Sequence, residues 1–135
     1  MEVFDSNVPD FFLPEERGEF ETFLQSLPGP YLVLTEADGR VVACGGYAAG
    51  GGGAAVDLCW GMVRRSLHGT GLGRELTVAR LRRATADPGV ERVALGTSQL
   101  TTGFYERFGF RIVEVIPDGY GPGLDRCEMR LELSR

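Results

Sequence analysis

A glycine-rich stretch between a predicted strand and a predicted helix holds the residue types that point most directly to chemistry. It reads Val63-Arg-Arg-Ser-Leu-His68-Gly69-Thr70-Gly71-Leu72-Gly73-Arg74-Glu75-Leu76. Glycine lets the backbone approach a ligand closely, and the unpaired N–H groups of a first helical turn attract phosphate together with the helix dipole. The stretch predicts an anion cradle, and a helix lead-in with packing glycines is the alternative. The dinucleotide fingerprint does not fit, because Arg74 and Leu76 stand where its last glycine would be.

A second stretch follows the next predicted strand. It reads Thr97-Ser98-Gln99-Leu100-Thr101-Thr102-Gly103-Phe104-Tyr105-Glu106-Arg107-Phe108-Gly109-Phe110. Thr101 to Phe108 is predicted to be a short helix, and Gly109 suits the left-handed cap that ends it.

Together, the two stretches resemble the GNAT superfamily of N-acetyltransferases. In that family a Val-x-Pro-x-x-Arg/Gln-x-x-Gly-x-Gly/Ala block binds the pyrophosphate of acetyl-coenzyme A, and an Asn-x-Ala-x-x-x-Tyr-Glu-Lys-x-Gly-Phe-like block follows it. Here Arg65 replaces the proline, His68 takes the Arg/Gln position and Gln99 takes the Asn position. The likeness covers roughly Tyr31 to Leu133 of a single domain spanning 1–135, with a shortened N-terminal region.

The resemblance implies an α/β (α+β) fold with a mixed, mostly antiparallel sheet of about six strands flanked by three helices. It also implies that the central strands 55–63 and 92–97 splay apart and admit pantetheine between them. Backbone groups at Trp60, Met62 and Val63 would then hold the pantetheine and polarise the thioester carbonyl. The remaining coenzyme contacts would come from the cradle and the second stretch, at His68, Gly69, Thr70, Gly71, Leu72, Gly73, Arg74 and Gln99.

The resemblance also suggests the acid and base of an amine acetylation. Tyr105 matches the tyrosine that family members place beside the coenzyme sulfur as general acid. An alkyl ammonium group, with a pKa of around 10, must lose a proton before it attacks. Asp57 matches a strand carboxylate that serves as base, with Glu36 and a water chain as competitors. Period-two alternation puts Asp57, Cys59 and Gly61 on one face unless a bulge intervenes.

Cys59 is predicted to be a buried small hydrophobe rather than a nucleophile, since the sole histidine lies in the cradle. Most arginines around the loop and helix are expected to be solvated, while Arg65 and Arg74 could meet phosphate. The arginines concerned are Arg64, Arg65, Arg74, Arg80, Arg82 and Arg83.

The elements that must position these residues can be predicted from hydrophobic spacing and turn residues. A helix from Pro14 ends before Pro28, and strands 31–35 and 41–45 join through a turn at Asp38-Gly39. The glycine-rich stretch 48–55 is predicted to be a flexible connection. Strand 55–63, a helix from about Gly71 to 87, strand 92–97 and the short helix precede a closing pair, 110–116 and 126–133.

Composition excludes several classes of function. All 14 basic residues are arginine, and without lysine neither a Walker A loop nor Schiff-base chemistry is available. A net charge of −5 argues against nucleic acid binding. Three cysteines and one histidine make a disulfide framework or a zinc site improbable, so no metal site is predicted. No apolar run or signal sequence is evident, so we expect a cytoplasmic protein without a membrane partner.

The resemblance implies an enzyme that moves acetyl from acetyl-CoA to a primary amine of a small molecule or peptide by direct attack, without an acyl-enzyme. The alternatives are a non-catalytic acyl-CoA-binding sensor and a phosphate-binding interaction domain. Acceptor recognition is assigned to the N-terminal helix, the loop 50–53 and the segment 117–125. The acceptor side could be open or completed by a second copy in a homodimer.

Overall fold

A computed structural model of the chain describes residues 1–50 and 53–134. The helices are α1 (Glu2–Ser6), α2 (Glu16–Gln25), α3 (Leu72–Ala84) and α4 (Thr102–Glu106), with a 3₁₀ turn at Arg65–Leu67. The strands are β1 (Tyr31–Thr35), β2 (Val41–Ala49), β3 (Ala55–Val63), β4 (Arg92–Thr97), β5 (Arg111–Gly121) and β6 (Leu124–Glu132). The predicted order of elements is confirmed, but α1 was missed, so the described residues contain four helices rather than three.

The strands form one mixed sheet in the order β1-β2-β3-β4-β6-β5. β3 and β4 run parallel, and the other four neighbouring pairs are antiparallel. This confirms the predicted mixed, mostly antiparallel sheet. Within residues 1–50 and 53–134, no helix is long and apolar enough to cross a bilayer.

The parallel pairing at the centre of the sheet is short. It joins residues 55–57 of β3 to residues 92–94 of β4 and does not continue toward the carboxyl ends of the two strands. Past this point the facing edges of β3 and β4 lack the hydrogen bonds of a continuous sheet. The predicted splay of the central strands is therefore present.

Different helices cover the two faces of the sheet. Phe20 of α2 packs in a cluster with Cys44 and Met62, and we call this side the α2 face. Leu81 of α3 packs against the cluster that contains Val93, and we call this side the α3 face.

Two loops are shorter than the sequence indicated. β5 continues to Gly121 and β6 begins at Leu124, so strands occupy most of the segment 117–125. A register shift between Ile116 and Gly121 allows a proline and glycines within this edge strand. In the glycine-rich connection, Ala48 and Ala49 belong to β2, while Gly51 and Gly52 lie outside the described residues.

Candidate functional site

The splay between β3 and β4 opens into a cavity of about 920 Å³. Residues 58–63 of β3 and 95–98 at the end of β4 form its central walls. Phe12 and Glu16 border it on the α2 side, and Leu76 and Thr77 of α3 border it on the other. The cavity therefore joins the two faces of the sheet at the place where the strands part.

The predicted cradle lies at the α3 end of this cavity. Gly69 and Gly71 have φ angles of 80° and 91°, and a Cβ on either would meet no atom within 4 Å. Their backbone conformation, rather than lack of space, is what favours glycine. Gly71 is the N-cap of α3, and no side chain caps this helix. The first N–H groups of α3 are thus left for an anionic ligand.

His68 closes the loop that leads into the cradle. Its Nε2 donates to the carbonyl oxygen of Val63 at 2.9 Å, and Nδ2 of Asn7 donates to the same oxygen at 2.9 Å. A carbonyl can only accept, so Nε2 of His68 is the donor in this contact. Both lone pairs of the Val63 carbonyl are in use, which leaves this oxygen unavailable to pantetheine.

A β-bulge interrupts β3 at Trp60, whose φ is 44°. The register between β2 and β3 shifts between Cys44 and Gly46, and the Tyr31 hydroxyl donates to the Trp60 carbonyl at 2.9 Å. The bulge turns Gly61 toward the α3 face. The predicted common face of the strand residues consequently ends at the bulge and does not include Gly61.

Arg80 of α3 fills the space that Gly61 leaves. A Cβ on Gly61 would lie 2.6 Å from Nη2 of Arg80, and one on Gly45 would lie 3.1 Å from its Nη1. Arg80 is 1% exposed, and its Nε has no hydrogen-bond partner. The prediction of a solvated side chain is wrong for Arg80 and also for the buried Arg64. Burying a guanidinium requires the close backbone approach that the glycines permit.

Tyr105 borders the cavity from α4 on the α3 face. Its ring lies edge-on to Phe104, with centroids 5.0 Å apart, and to Phe110, with centroids 5.9 Å apart. The half-buried phenol is therefore held by aromatic packing at the edge of the splay. Gly109 ends this short helical segment with a φ of 99°, as its position in the sequence predicts.

Comparison with known proteins settles the family. Residues 1–110 match the sequence profile of the acetyltransferase (GNAT) family. The chain belongs to this family. No curated protein has a significantly similar sequence.

Solved acetyltransferase structures share the fold. A GNAT-family protein from Desulfovibrio desulfuricans is 26% identical with a TM-score of 0.74, and the match covers 98% of this chain and 89% of that one. An aminoglycoside 6'-N-acetyltransferase solved with coenzyme A is 18% identical with a TM-score of 0.73, covering 99% and 91%. A Bacillus subtilis acetyltransferase solved with coenzyme A is 17% identical with a TM-score of 0.74, covering 98% and 92%.

The predicted site residues of this GNAT acetyltransferase fall into two groups. The cavity brings together Trp60, Met62, Val63, His68, Gly69, Gly71, Gly73, Arg74 and Tyr105. Among the described residues, Asp57, Thr70, Leu72 and Gln99 do not border it, and neither does Glu36. The backbone N–H groups of Leu72 and Gly73 still belong to the uncapped first turn of α3.

Gln99 and Asp57 have other surroundings. The Gln99 amide accepts from the N–H of Asp125 at 2.9 Å and donates to the carbonyl of Gly123 at 2.8 Å, so it fastens the β5–β6 hairpin. Asp57 is exposed, and its Oδ1 would lie 3.0 Å from a Cβ on Gly50. Both side chains are therefore separated from the cavity of this acetyltransferase.

Arg65 is also engaged within the protein. Its guanidinium lies 3.6 Å from Asp10 and 4.6 Å from the centre of the Phe11 ring. Arg74, by contrast, borders the cavity beside the cradle and is exposed. Of the two arginines for which the sequence left a phosphate contact open, Arg74 is the one whose position suits that contact.

Glu16 and Tyr120 border the cavity on the α2 face and were not singled out from the sequence. Glu16 is 6% exposed, and burial raises the pKa of its carboxyl group. Burial, with smaller contributions from Glu128 and Glu16, raises the pKa of Tyr120 to about 12 in spite of the nearby Arg126. The sequence offered little signal for either, because an acid in a first helical turn and a tyrosine in a glycine-rich turn are both common.

The three cysteines are free thiols. Burial raises the pKa of the Cys59 thiol, although the charge of Arg80 opposes the rise. A raised pKa lowers the thiolate fraction, and the thiolate is the nucleophilic form. The raised pKa agrees with the prediction that Cys59 is not a nucleophile. Cys59 is only half-buried and borders the cavity, however, so the prediction that it is buried is wrong.

Proposed function

We propose that this chain transfers the acetyl group of acetyl-CoA to a primary amine of a small molecule or peptide by direct attack, with no acyl-enzyme. The observation that carries the proposal is the early end of parallel pairing between β3 and β4 beside an uncapped helix start. The opening supplies a path through the sheet, and the helix start supplies N–H donors for a diphosphate. Coenzyme A in two solved relatives of the same fold supports this assignment.

The residues present fit an acyl-CoA in most respects. The positive-φ glycines keep the cradle free of side chains, and Arg74 adds a positive charge beside it. The unpaired edge of β3 can offer N–H groups to the pantetheine, whereas the Val63 carbonyl is already occupied. We therefore assign recognition of the thioester carrier to N–H donors rather than to carbonyl acceptors.

For the chemical step we propose Tyr105 as general acid. The amine nitrogen forms a bond to the carbonyl carbon of the thioester, the carbon–sulfur bond breaks, and the thiolate takes the Tyr105 proton. Tyr105 suits this role because its phenol borders the cavity on the α3 face, where the cradle also lies. The proposed base of the sequence analysis, Asp57, would have to act through water, because its exposed side chain does not border the cavity.

Thiol release from acetyl-CoA in the presence of a panel of primary amines tests the proposal. We expect amine-dependent release with wild-type protein and no release burst without amine. Thermal stabilisation by acetyl-CoA, but not by NAD or ATP, is expected alongside, because a ligand at about 100 times its Kd adds about 2.7 kcal/mol to stability. Binding of acetyl-CoA without turnover would instead identify a sensor. Stabilisation by all three ligands would favour a general phosphate-binding domain.

A further inference from the structure

The α2 face of the cavity holds a buried carboxylate without a basic partner. Oε1 of Glu16 accepts a hydrogen bond from the N–H of Leu13 at 3.0 Å. No arginine or histidine of residues 1–50 and 53–134 forms an ion pair with it. Glu16 nevertheless borders the cavity. Burying an unpaired carboxylate opposes folding, and a cationic ligand in the cavity would offset this cost.

Aromatic side chains share this cavity with the carboxylate. Phe11, Phe12, Trp60 and Tyr120 border the same cavity. The Tyr120 hydroxyl would lie 3.0 Å from a Cβ on Gly96, so the phenol reaches the β4 edge of the splay. These walls suit a ligand whose apolar or aromatic part lies along them and leads toward the opening between β3 and β4.

The charges around Glu16 come from two elements. On α2, the neighbouring carboxylates of Glu19 and Glu15 add to the rise in the pKa of Glu16 that burial causes. On the hairpin, Tyr120 is accompanied by Glu128 and Arg126, whose charges pair at 2.5 Å. Arg126 is thus paired within the hairpin, and Arg17 of α2 is paired with Asp5 and Glu21. The charges that act on Glu16 from its own segment are therefore the carboxylates of Glu15 and Glu19.

We propose that Glu16 binds the ammonium group of the acceptor and accepts the proton that it must lose. The acceptor class that fits is a primary amine on an aromatic or apolar stem without a carboxylate next to the amine. This inference rests on the proposed function, and it assigns the acceptor subsite of the same cavity to the α2 face.

Proton balance follows from this placement. The ammonium group gives one proton to Glu16 and becomes a neutral amine, which forms the carbon–nitrogen bond to the thioester. The bond to sulfur breaks, and Tyr105 protonates the thiolate. The nitrogen releases a second proton to water, Tyr105 regains one from water, and Glu16 passes its own to solvent. The products are the amide, free coenzyme A and one net proton.

Glu16→Gln and Glu15→Gln form a matched pair of variants. Each removes one negative charge from the start of α2, and glutamine at 16 retains the oxygen that accepts from Leu13. Glu15 is exposed and lies outside the cavity lining. The acceptors are 2-phenylethylamine and L-phenylalanine, which share a stem and differ in the carboxylate. Thiol release is measured against amine concentration and pH, and acetyl-CoA binding is measured separately.

We expect wild-type protein to use 2-phenylethylamine at least ~10-fold more efficiently than L-phenylalanine, in kcat/KM. Glu16→Gln should raise the KM for 2-phenylethylamine about 10-fold or more and remove the ascending limb of the pH profile of kcat. Glu15→Gln should stay within about twofold of wild type. Acetyl-CoA affinity should be the same in all three proteins.

Several results would overturn the assignment. One is an equal kcat/KM for the two amines, and another is a rise in KM in Glu15→Gln as large as that in Glu16→Gln. A third is a pH profile of kcat that keeps its ascending limb in Glu16→Gln, and a fourth is a profile that loses this limb in Asp57→Asn but not in Glu16→Gln. Wild-type protein that acetylates other amines but neither of these refutes the acceptor class alone. Wild-type protein that fails to bind acetyl-CoA refutes the proposed function instead.

Discussion

Tyr105 presents its phenol to the cavity from a five-residue helix that aromatic contacts hold in place. Tyr105→Phe keeps the ring and these contacts but removes the proton that the leaving thiolate needs. We expect kcat to fall at least ~10-fold, within the usual range for acid–base catalysis. Acetyl-CoA affinity should be unchanged, because the cradle is untouched. Unchanged turnover would remove Tyr105 from the mechanism.

Glu16 also has a consequence for stability. Because burial raises its pKa in the folded state, protons bind the native chain more tightly than the unfolded chain at this site. The Glu16 carboxyl group therefore contributes most to the free energy of unfolding below the pKa that it has in the unfolded chain. This contribution is lost as the pH rises through the pKa that it has in the folded chain. We expect Glu16→Gln without ligand to melt at a higher temperature than wild type at pH 8, with the difference disappearing near pH 4. An equal difference at both pH values in thermal melts would contradict this.

Residues whose role depends on local backbone were predictable. Gly109 has the left-handed φ angle that its position after the short helix predicted, and Tyr105 borders the cavity. Arg80 was not predictable, because its burial depends on glycines of β2 and β3 that are distant in sequence. Glu16 was missed for the same reason, since the hairpin that helps to enclose it is about 100 residues away.

At the scale of elements, the start of α3 can be tested by a pair of glycines with the same strain. Gly71 and Gly39 have φ angles of 91° and 86°, and a Cβ on either would meet no atom within 4 Å. Alanine at either position should cost about 1–2 kcal/mol of stability. Only Gly71→Ala should also weaken acetyl-CoA binding, about 10-fold or more, because it displaces the N–H groups of the cradle. If calorimetry gave the two variants equal affinity for acetyl-CoA, the cradle would not be the part of the protein that binds the coenzyme.

Element boundaries were predicted best where packing and turn residues agree. β1, β3 and β4 have the predicted limits, and α2 shows the expected apolar spacing at Phe20, Phe23 and Leu24. α1 was missed because it has only five residues, and its buried Val3 and Phe4 give too short a pattern for helical periodicity. The hairpin was underestimated because a register shift accommodates its proline and glycines within β5.

For the whole molecule, we propose a homodimer formed through β5. This strand is an edge of the sheet, and Ile112, Val113, Val115 and Ile116 are 39–49% exposed on it. An unpaired edge with apolar side chains favours pairing with another strand. In light scattering, wild-type protein should have twice the 14.7 kDa mass of one chain. Val115→Lys should reduce the measured mass to that of a single chain. Val33→Lys on β1, the opposite edge, is the control and should leave the mass doubled; a monomeric wild type would refute the dimer.

The cavity that passes through the sheet has a kinetic consequence. If the thioester enters from the α3 face and the amine from the α2 face, neither has to leave before the other arrives. Both substrates then meet in one ternary complex, and double-reciprocal plots of initial velocity should intersect instead of running parallel. Free coenzyme A should compete with acetyl-CoA for the same entrance and leave the amine's own entrance open.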